Sequence, residues 1–202
     1  MKHEGWQATA AALGVPVDDG AEARLIAYER LLRERAVPLG MIAADDLDRL
    51  WERHILDGLR GAPLLPVDAT SAIDLGSGAG IPGVPVAIAR PDLAVTLAEA
   101  RRNRAAFLEL VVDELGLALV SVHAGRIDDL AGPFDVALAR AFADPRQTWR
   151  AAQPLLRHGG CLAYWAGRSF DRAQDAPSEV AVRVFPTSAL ANAGPVAIMT
   201  QQ

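Results

Sequence analysis

The chain has 202 residues, of which 51% are hydrophobic, and a formal net charge of −5 at pH 7. This length is enough for one well-filled domain with a small appendage. The negative balance gives no overall signature of nucleic-acid binding, so such a role would have to rest on local basic patches. The single cysteine, Cys161, excludes an internal disulfide and a cysteine-built metal site, and it suits a reducing compartment.

The N-terminal sequence and the histidines bear on localisation and metal binding. Residues 1–30 lack the pattern of a signal peptide, and no apolar run is long enough to span a bilayer. His3, His123 and His158 show no metal-ligand spacing with one another or with Cys161. We therefore expect a cytoplasmic protein that has no membrane association and binds no metal.

Residues 1–60 carry the spacing of amphipathic helices. Apolar side chains recur at helical intervals over residues 6–13, 21–35 and 44–59, and Asp45 or Asp46 is placed to begin the third helix. Arginines are denser here than elsewhere, and they form either a solvated helix face or a patch that faces phosphates. Because Gly61-Ala62-Pro63 breaks the pattern, we predict a helical cap over residues 1–62 and one compact domain over residues 63–202.

From residue 72 onward, apolar strand patterns alternate with helical ones. Strands are predicted at 72–75, 94–98, 118–122, 134–139 and 161–165, with weaker ones near 180–185 and 195–199, and helices at 84–89, 101–115 and 145–156. This alternation predicts an α/β fold with a doubly wound, mostly parallel sheet. Such sheets bind ligands outside the carboxyl ends of their strands, where Gly76, Glu99, Asp128 and Arg140 fall.

A glycine-rich stretch follows the first predicted strand and reads Asp74-Leu75-Gly76-Ser77-Gly78-Ala79-Gly80-Ile81-Pro82-Gly83. A dinucleotide-binding loop needs a glycine where Ile81 stands, so that fit is poor. The acids Asp74 and Glu99 suit instead a ligand that carries a sulfonium and an ammonium group. The stretch resembles the S-adenosylmethionine loop of class I methyltransferases. The alternative is a turn that only closes a strand–helix unit.

Further stretches match a known family. They are His54-Ile55-Leu56-Asp57, the glycine-rich stretch, Ala89-Arg90-Pro91, Arg104 with Phe107-Leu108, Gly125-Arg126-Ile127-Asp128-Asp129, and Ala139-Arg140-Ala141-Phe142-Ala143. Over residues 24–165 the chain resembles the bacterial RsmG (GidB) methyltransferases, which modify N7 of a guanine in 16S rRNA. The resemblance implies a Rossmann-like class I S-adenosyl-L-methionine-dependent methyltransferase fold with an N-terminal helical cap.

The resemblance also implies a cofactor site. Gly76 and Ile81 would line the methionine and ribose part of S-adenosyl-L-methionine, Glu99 would hold the ribose hydroxyls, and Ile127 and Asp128 would contact the adenine. The complete predicted cofactor-binding set is Asp74, Gly76, Ser77, Gly78, Ile81, Glu99, Ile127, Asp128 and Arg140.

Arg140 is the predicted catalytic residue. It could donate hydrogen bonds to guanine O6, to a phosphate or to the cofactor carboxylate, or it could cap its strand by pairing with Asp135 or Asp144. Guanine N7 has a lone pair and no proton, so methylation needs orientation rather than a general base. The implied partner is 16S rRNA or the small ribosomal subunit, and we expect a monomer.

Some positions depart from the family pattern. Asn103 stands where a lysine is usual, Trp165-Ala166-Gly167 replaces a Lys-Gly pair, residues 38–42 lack the usual Asn-Leu-Thr segment, and residues 199–202 lack basic side chains. Several candidate RNA contacts are therefore missing. Two alternative functions therefore stay open. The chain could be a diverged methyltransferase that acts on a small molecule, or a cofactor-binding module without catalysis.

Two groups of charged residues keep alternative interpretations. His54 and Asp57 lie on one helix face and would pair with each other or brace the cofactor loop. Arg101, Arg102 and Arg104 begin a helix, where the helix dipole disfavours cations. They indicate either an anionic partner or a solvated face.

Overall fold

The computed structural model describes residues 5–201, so His3, the first four residues of the predicted cap and Gln202 lie outside the described part of the chain. Its strands are β1 (Ser71–Leu75), β2 (Ala94–Ala98), β3 (Val120–His123), β4 (Phe134–Arg140), β5 (Leu156–Trp165), β6 (Val180–Phe185) and β7 (Val196–Gln201). Its α-helices are α1 (Trp6–Ala12), α2 (Asp19–Leu31), α3 (Asp57–Leu59), α4 (Gly83–Ala89), α5 (Arg102–Glu114), α6 (Pro145–Ala152) and α7 (Arg172–Asp175).

The strands form one seven-stranded sheet in the order β3-β2-β1-β4-β5-β7-β6. β1 to β5 pair in parallel, and β7 runs antiparallel to both β5 and β6. Strands are added on one side of β1 as far as β3 and on its other side from β4 onward, so the order switches between β1 and β4. The predicted α/β class with a mostly parallel sheet is confirmed.

Apolar clusters cover both faces of the sheet. Val136 and Leu138 belong to one cluster, while Ala137 and Ala139 belong to the other, because successive side chains of a strand point to opposite faces. The central part of β4 is buried throughout, which explains why its sequence is apolar without alternation.

The N-terminal helices share a core with the sheet. Trp6 of α1 stacks on Trp51 with ring centroids 4.5 Å apart. Both rings belong to the cluster that also contains Leu97 of β2 and Phe107 of α5. The helices before β1 therefore complete the cover over one face of the sheet. The predicted division at residue 62 stays a prediction.

The structure differs from the predicted elements around β5. The helix expected to reach residue 156 ends at Ala152, a 3-10 turn covers Gln153–Leu155, and β5 begins at Leu156 rather than at residue 161. Pro154 has no N–H to continue the helix ladder. Leu156 is opposite Phe134 of β4, and a bulge separates this pair from the regular register that starts at Val136.

The helix predicted over residues 44–59 is also irregular. Ala44–Arg49 forms a 3-10 helix, Trp51–Leu56 forms a π-helix, and only Asp57–Leu59 is α-helical. Asp46 does not cap a helix, because its carboxylate accepts hydrogen bonds from later side chains of the same segment. Single π turns often occur at functional sites.

Within residues 5–201, no helix is long and apolar enough to cross a membrane. In the same range, no three histidine, cysteine, aspartate or glutamate side chains come together in a way that could hold a metal ion.

The contact between Gly61 and Trp165 generates a stability prediction. A Cβ at Gly61 would lie 2.2 Å from Trp165 Cζ2, and the Trp165 Nε1–H is held by the Asp57 carbonyl at 2.6 Å. Gly61→Ala should therefore lower the free energy of unfolding by about 1–3 kcal/mol, measured by urea denaturation. The control is Gly20→Ala in α2, where the nearest atom to a Cβ is 3.4 Å away and a gain of up to ~1 kcal/mol is expected. Equal effects of the two alanines would contradict the packing argument.

Candidate functional site

The loop between β1 and α4 depends on its glycines. Gly76, Gly78 and Gly80 have φ angles of 65°, 59° and 94°, in the left-handed region that side chains rarely adopt. A Cβ at Gly76 would also lie 2.9 Å from Phe142 Cδ2. The loop therefore lies close to the turn after β4. Its glycines carry no side chain that would cover the loop backbone at the carboxyl ends of the strands.

Buried polar groups hold this loop from the protein side. The Tyr28 hydroxyl, fully buried in α2, donates to the Ala79 carbonyl at 2.7 Å. Ser77 Oγ donates to the Asp74 carbonyl at 3.0 Å. Sequence analysis missed Tyr28, although it lies on the apolar face of α2 and a buried tyrosine hydroxyl usually has a hydrogen-bond partner.

Asp74 lies beneath the loop. Its side chain is 1% exposed, and Oδ2 accepts from the Gly83 N–H at 3.1 Å. Oδ1 has no hydrogen-bond partner among the described residues. Burial raises the pKa of Asp74 from 3.8 to about 7. Two cavities lie next to the loop. Every residue of the predicted cofactor-binding set except Asp74 lines at least one of them.

The first of these cavities, which we call the broad cavity, has a volume of about 500 Å³. It is lined by Gly76, Ala98, Glu99, Ala100, Arg101, Arg104, Gly125, Arg126, Ile127, Asp128, Ala141 and Phe142. The predicted contacts Glu99, Ile127 and Asp128 therefore lie on the same side of the molecule as Gly76. The ends of four neighbouring strands, β3, β2, β1 and β4, contribute to this one cavity, as the parallel topology requires.

The second, which we call the narrow cavity, has a volume of about 220 Å³. It is lined by Met41, Ile42, His54, Gly76, Ser77, Gly78, Ala79, Ile81, Arg104, Arg140 and Ala141. Gly76, Arg104 and Ala141 line both cavities. The two cavities thus form an extended site that follows the glycine loop.

Glu99 fixes the loop from the side. It is 6% exposed, Oε2 accepts from the Gly78 N–H at 3.0 Å, and Oε1 accepts from the Arg101 N–H at 2.8 Å. Each carboxylate oxygen has a further lone pair, so Glu99 can still accept a hydrogen bond from a ligand hydroxyl. Asp128 is exposed and pairs with Arg126 at 3.0 Å.

Arg140, at the end of β4, is held by residues of the N-terminal segment. Its Nε is 3.2 Å from Asp57 Oδ2, one terminal nitrogen donates to the Arg53 carbonyl at 2.8 Å, and the other lies 3.5 Å from His54 Nδ1. His54 and Asp57 therefore both contact Arg140, and the structure does not pair them with each other.

The alternative pairing of Arg140 with Asp135 or Asp144 is wrong. Asp135 pairs with Arg157 and accepts hydrogen bonds from residues at the start of β1. Asp144 accepts from the Gln147 N–H and caps α6.

A third cavity, which we call the outer cavity, lies on the other side of Arg140 and has a volume of about 260 Å³. It is lined by Glu52, Arg53, Asp57, Arg60, Arg140, Trp165, Ala166, Gly167, Arg168, Leu190, Asn192, Ala193 and Gly194. The β5 end and the loop before β7 therefore contribute to it. Arg140 is the residue that the narrow and outer cavities share.

Comparison with known proteins assigns the chain to a family. The model of the GidB family, described as rRNA small subunit methyltransferase G, matches residues 21–193. This chain belongs to the GidB family. The match includes every residue that lines the three cavities except Gly194.

Curated proteins named ribosomal RNA small subunit methyltransferase G are similar to this GidB-family chain. The protein of Acidothermus cellulolyticus is 44% identical over 138 residues, which cover 68% of this chain and 62% of the relative. The protein of Mycolicibacterium smegmatis is 41% identical over 165 residues, which cover 79% of this chain and 69% of the relative. The chain spans 55% of the length of the Mycolicibacterium paratuberculosis relative.

Solved structures show the same fold at low sequence identity. A putative O-methyltransferase from Klebsiella pneumoniae has a TM-score of 0.62 and 15% identity, covering 93% of this chain and 92% of the other. The O-methyltransferase TomG from Streptomyces achromogenes, solved in complex with SAM, has a TM-score of 0.58 and 18% identity, covering 100% of this chain and 99% of the other. The GidB-family chain therefore has the class I methyltransferase fold.

The buried carboxyl of Asp74 generates a prediction about stability and pH. Because burial raises its pKa from 3.8 to about 7, its contribution to stability is fully present below pH 3.8 and is lost as the pH rises through about 7. The unfolding free energy of the unsubstituted protein should therefore decrease between about pH 5 and about pH 8. Asp74→Asn should make this decrease smaller, by an amount on the order of a few kcal/mol. Urea unfolding at the two pH values measures this difference. Asp113→Asn, on the exposed surface of α5, should leave the decrease as it is in the unsubstituted protein.

Proposed function

We propose that this chain is an S-adenosyl-L-methionine-dependent methyltransferase that methylates N7 of a guanine in 16S rRNA, acting in the cytoplasm as a monomer without a metal. The observation that carries the proposal is the position of Arg140. It separates a cavity bordered by the glycine loop from a second cavity at the end of β5. Such an arrangement suits the transfer of a group from a donor on one side to an acceptor on the other.

The residues present fit S-adenosyl-L-methionine. The adenosine would occupy the broad cavity beside Ile127 and Asp128, and the methionine part would occupy the narrow cavity beside Ile81. Glu99 keeps lone pairs for the ribose hydroxyls, and the absence of a Cβ at Gly76 lets the loop lie against Phe142, which also lines the broad cavity. When bound, the cofactor supplies an electrophilic methyl group on a sulfonium. TomG, which shares the fold, was solved with this cofactor.

The target guanine would enter the outer cavity. Its N7 has a lone pair and no proton, so the protein needs to orient it rather than remove a proton. Arg140 has more N–H groups than its three contacts use, so it keeps donors for the guanine O6 or a neighbouring phosphate. Arg168 and Asn192 line the same cavity, and among residues 5–201 their side chains have no hydrogen-bond partner that would compete with a ligand.

RNA is favoured over a small molecule by the arginines at the start of α5. The side chains of Arg101, Arg102 and Arg104 have no carboxylate partner within the described residues, although the helix dipole there disfavours cations. Arg101 and Arg104 line the broad cavity. Phosphate groups of an RNA would supply the missing negative charge, and the names of the curated relatives support a ribosomal RNA substrate.

The test of this proposal combines cofactor binding with methyl transfer. Equilibrium dialysis should detect S-adenosyl-L-methionine binding. Small subunits from cells that lack this protein should accept one methyl group on a guanine N7, located by mass mapping of the 16S RNA. If the protein does not bind the cofactor, the proposal fails. If it binds the cofactor and methylates only small molecules, the diverged-enzyme alternative replaces the RNA substrate.

Substitution of Arg140 tests the proposed donor to the guanine. Arg140→Ala should lower kcat/KM for small subunits by about 100-fold, because orientation of the reacting atoms is lost. Arg150→Ala, at an exposed position of α6, should keep the activity and serves as the control. Arg150→Ala should keep the unfolding midpoint, whereas Arg140→Ala should lower it, because the buried Asp57 loses one of its two arginine partners. Both variants are assayed at a temperature at which they are folded, and an Arg140→Ala variant with full activity would contradict the assignment.

Salt dependence tests the arginines at the start of α5. Methylation of small subunits should fall steeply with salt, because binding of phosphates releases counterions. Arg101→Ala and Arg102→Ala should each reduce the slope of log(kcat/KM) against log[salt] by about 1 if each arginine contacts one phosphate. Arg150→Ala should leave the slope unchanged. Slopes that match the unsubstituted protein in all variants would show that α5 does not contact the RNA.

A further inference from the structure

A chain of buried polar contacts leads from the N-terminal segment to Arg140. Asp46 Oδ2 lies 3.0 Å from His54 Nε2, and His54 Nδ1 lies 3.5 Å from the Arg140 guanidinium. Asp46 also accepts from Arg53 at 2.6 Å. Asp46 and His54 are 8% and 9% exposed, so bulk water provides few competing partners for them.

These contacts permit one form of the imidazole. The Asp46 carboxylate accepts hydrogen bonds, so the proton must be on His54 Nε2. The Arg140 guanidinium only donates, so His54 Nδ1 must carry a free lone pair. The neutral imidazole with its proton on Nε2 satisfies both neighbours. A doubly protonated ring would direct an N–H at the guanidinium and place two positive charges 3.5 Å apart.

The contacts of Arg140 come from two sides. Arg53 and Asp57 line the outer cavity, whereas His54 lines the narrow cavity. His54 is therefore the contact that holds the guanidinium towards the glycine loop. Without it, Arg140 would keep its two contacts on the outer side and lose its fixed direction relative to the loop.

We infer that His54 is a positioning residue, which Asp46 orients so that its Nδ1 holds the Arg140 guanidinium between the narrow and outer cavities. This inference rests on the proposed function, because the guanidinium so held is the proposed donor to the guanine. Hydrogen bonds at such sites are often long before the ligand binds and shorten in the complex. His54 itself does not contact the reacting atoms.

The inference gives His54 a defined response to pH. The charged groups that face it are Asp46, Arg53 and Arg140. Burial and the Arg140 charge lower the pKa of His54 from 6.5, while the contact with Asp46 opposes them. The ring is therefore neutral at pH 7, and acidification through its lowered pKa removes the acceptor for Arg140. Activity should fall on the acid side as a result.

Two substitutions separate the contacts of His54. The side-chain oxygen of His54→Asn can take the position of Nδ1 and accept from Arg140, but this side chain does not reach Asp46. The amide nitrogen of His54→Gln can take the position of Nε2 and donate to Asp46, but it offers Arg140 no acceptor at Nδ1. We expect His54→Gln to lower kcat by up to about 100-fold, with little change in KM, and His54→Asn to keep most of the activity.

The pH profile and the tautomer provide further tests. The acid limb of kcat should be present in the unsubstituted protein and absent in His54→Asn. Nitrogen-15 NMR of the unsubstituted protein should show the His54 proton on Nε2 at neutral pH, with the resonance assigned by its loss in His54→Asn.

The outcomes distinguish this inference from the proposed function. If the unsubstituted protein methylates no guanine, the proposed function fails, and NMR still tests the tautomer. If the protein is active, the inference is overturned by equal losses in His54→Gln and His54→Asn, by full activity of His54→Gln, or by an acid limb that persists in His54→Asn. A proton on Nδ1 of His54 in the unsubstituted protein would overturn it independently of the activity measurements.

Discussion

The site depends on fixing the conformation of the glycine loop between β1 and α4. One side of this loop faces solvent and the other packs on the core. Three residues of the loop adopt left-handed conformations, which form no regular ladder that could fix them. The loop is held instead by side chains from separate parts of the chain: Tyr28 from α2, Asp74 from β1 and Glu99 from the end of β2. Each of these polar groups is buried, and each has a backbone atom of the loop or of α4 as its partner. The hydrogen bonds offset the cost of burial, and burial in turn strengthens the hydrogen bonds.

The same combination of burial and pairing organises the arginines. The net charge of the chain is −5, yet most of the charged side chains that line its three cavities are arginines. Buried acids fix some of them: Asp57 contacts both Arg60 and Arg140, and Asp46 contacts Arg53. Paired arginines of this kind keep a defined geometry, whereas Arg101 and Arg102 at the start of α5 are exposed and free to follow a flexible partner. The site therefore contains rigid donors at its centre and adaptable ones at its rim.

Much of this fold could be predicted from the sequence because local patterns report it directly. The strands β1, β2 and β4 consist mostly of apolar residues, so their ends could be located within a residue or two. With the strand ends known, the parallel topology brings Gly76, Glu99 and Asp128 to one edge. This reasoning needs no information about side-chain contacts.

The parts that were missed depend on contacts between distant residues. Arg140 meets His54 across 86 positions of sequence, and Tyr28 meets Ala79 across 51. No periodicity in the sequence indicates such pairs. From their spacing, His54 and Asp57 could be expected to pair with each other, whereas in the structure both contact Arg140. The apolar spacing over Trp51–Leu56 suits an α-helix, so it does not reveal that this segment forms a π-helix. The early start of β5 likewise follows from its pairing with β4, which the local sequence does not report.

The shared core of the N-terminal helices and the sheet has a consequence for synthesis on the ribosome. Trp6, Leu25 and Trp51 are buried in a cluster that is completed by residues as late as Ile198. The helices leave the exit tunnel before the strands they cover have been translated, so their apolar faces have no partner at that stage. Nascent chains of this protein therefore expose a hydrophobic surface until the sheet forms, which makes them substrates for chaperones that bind such surfaces.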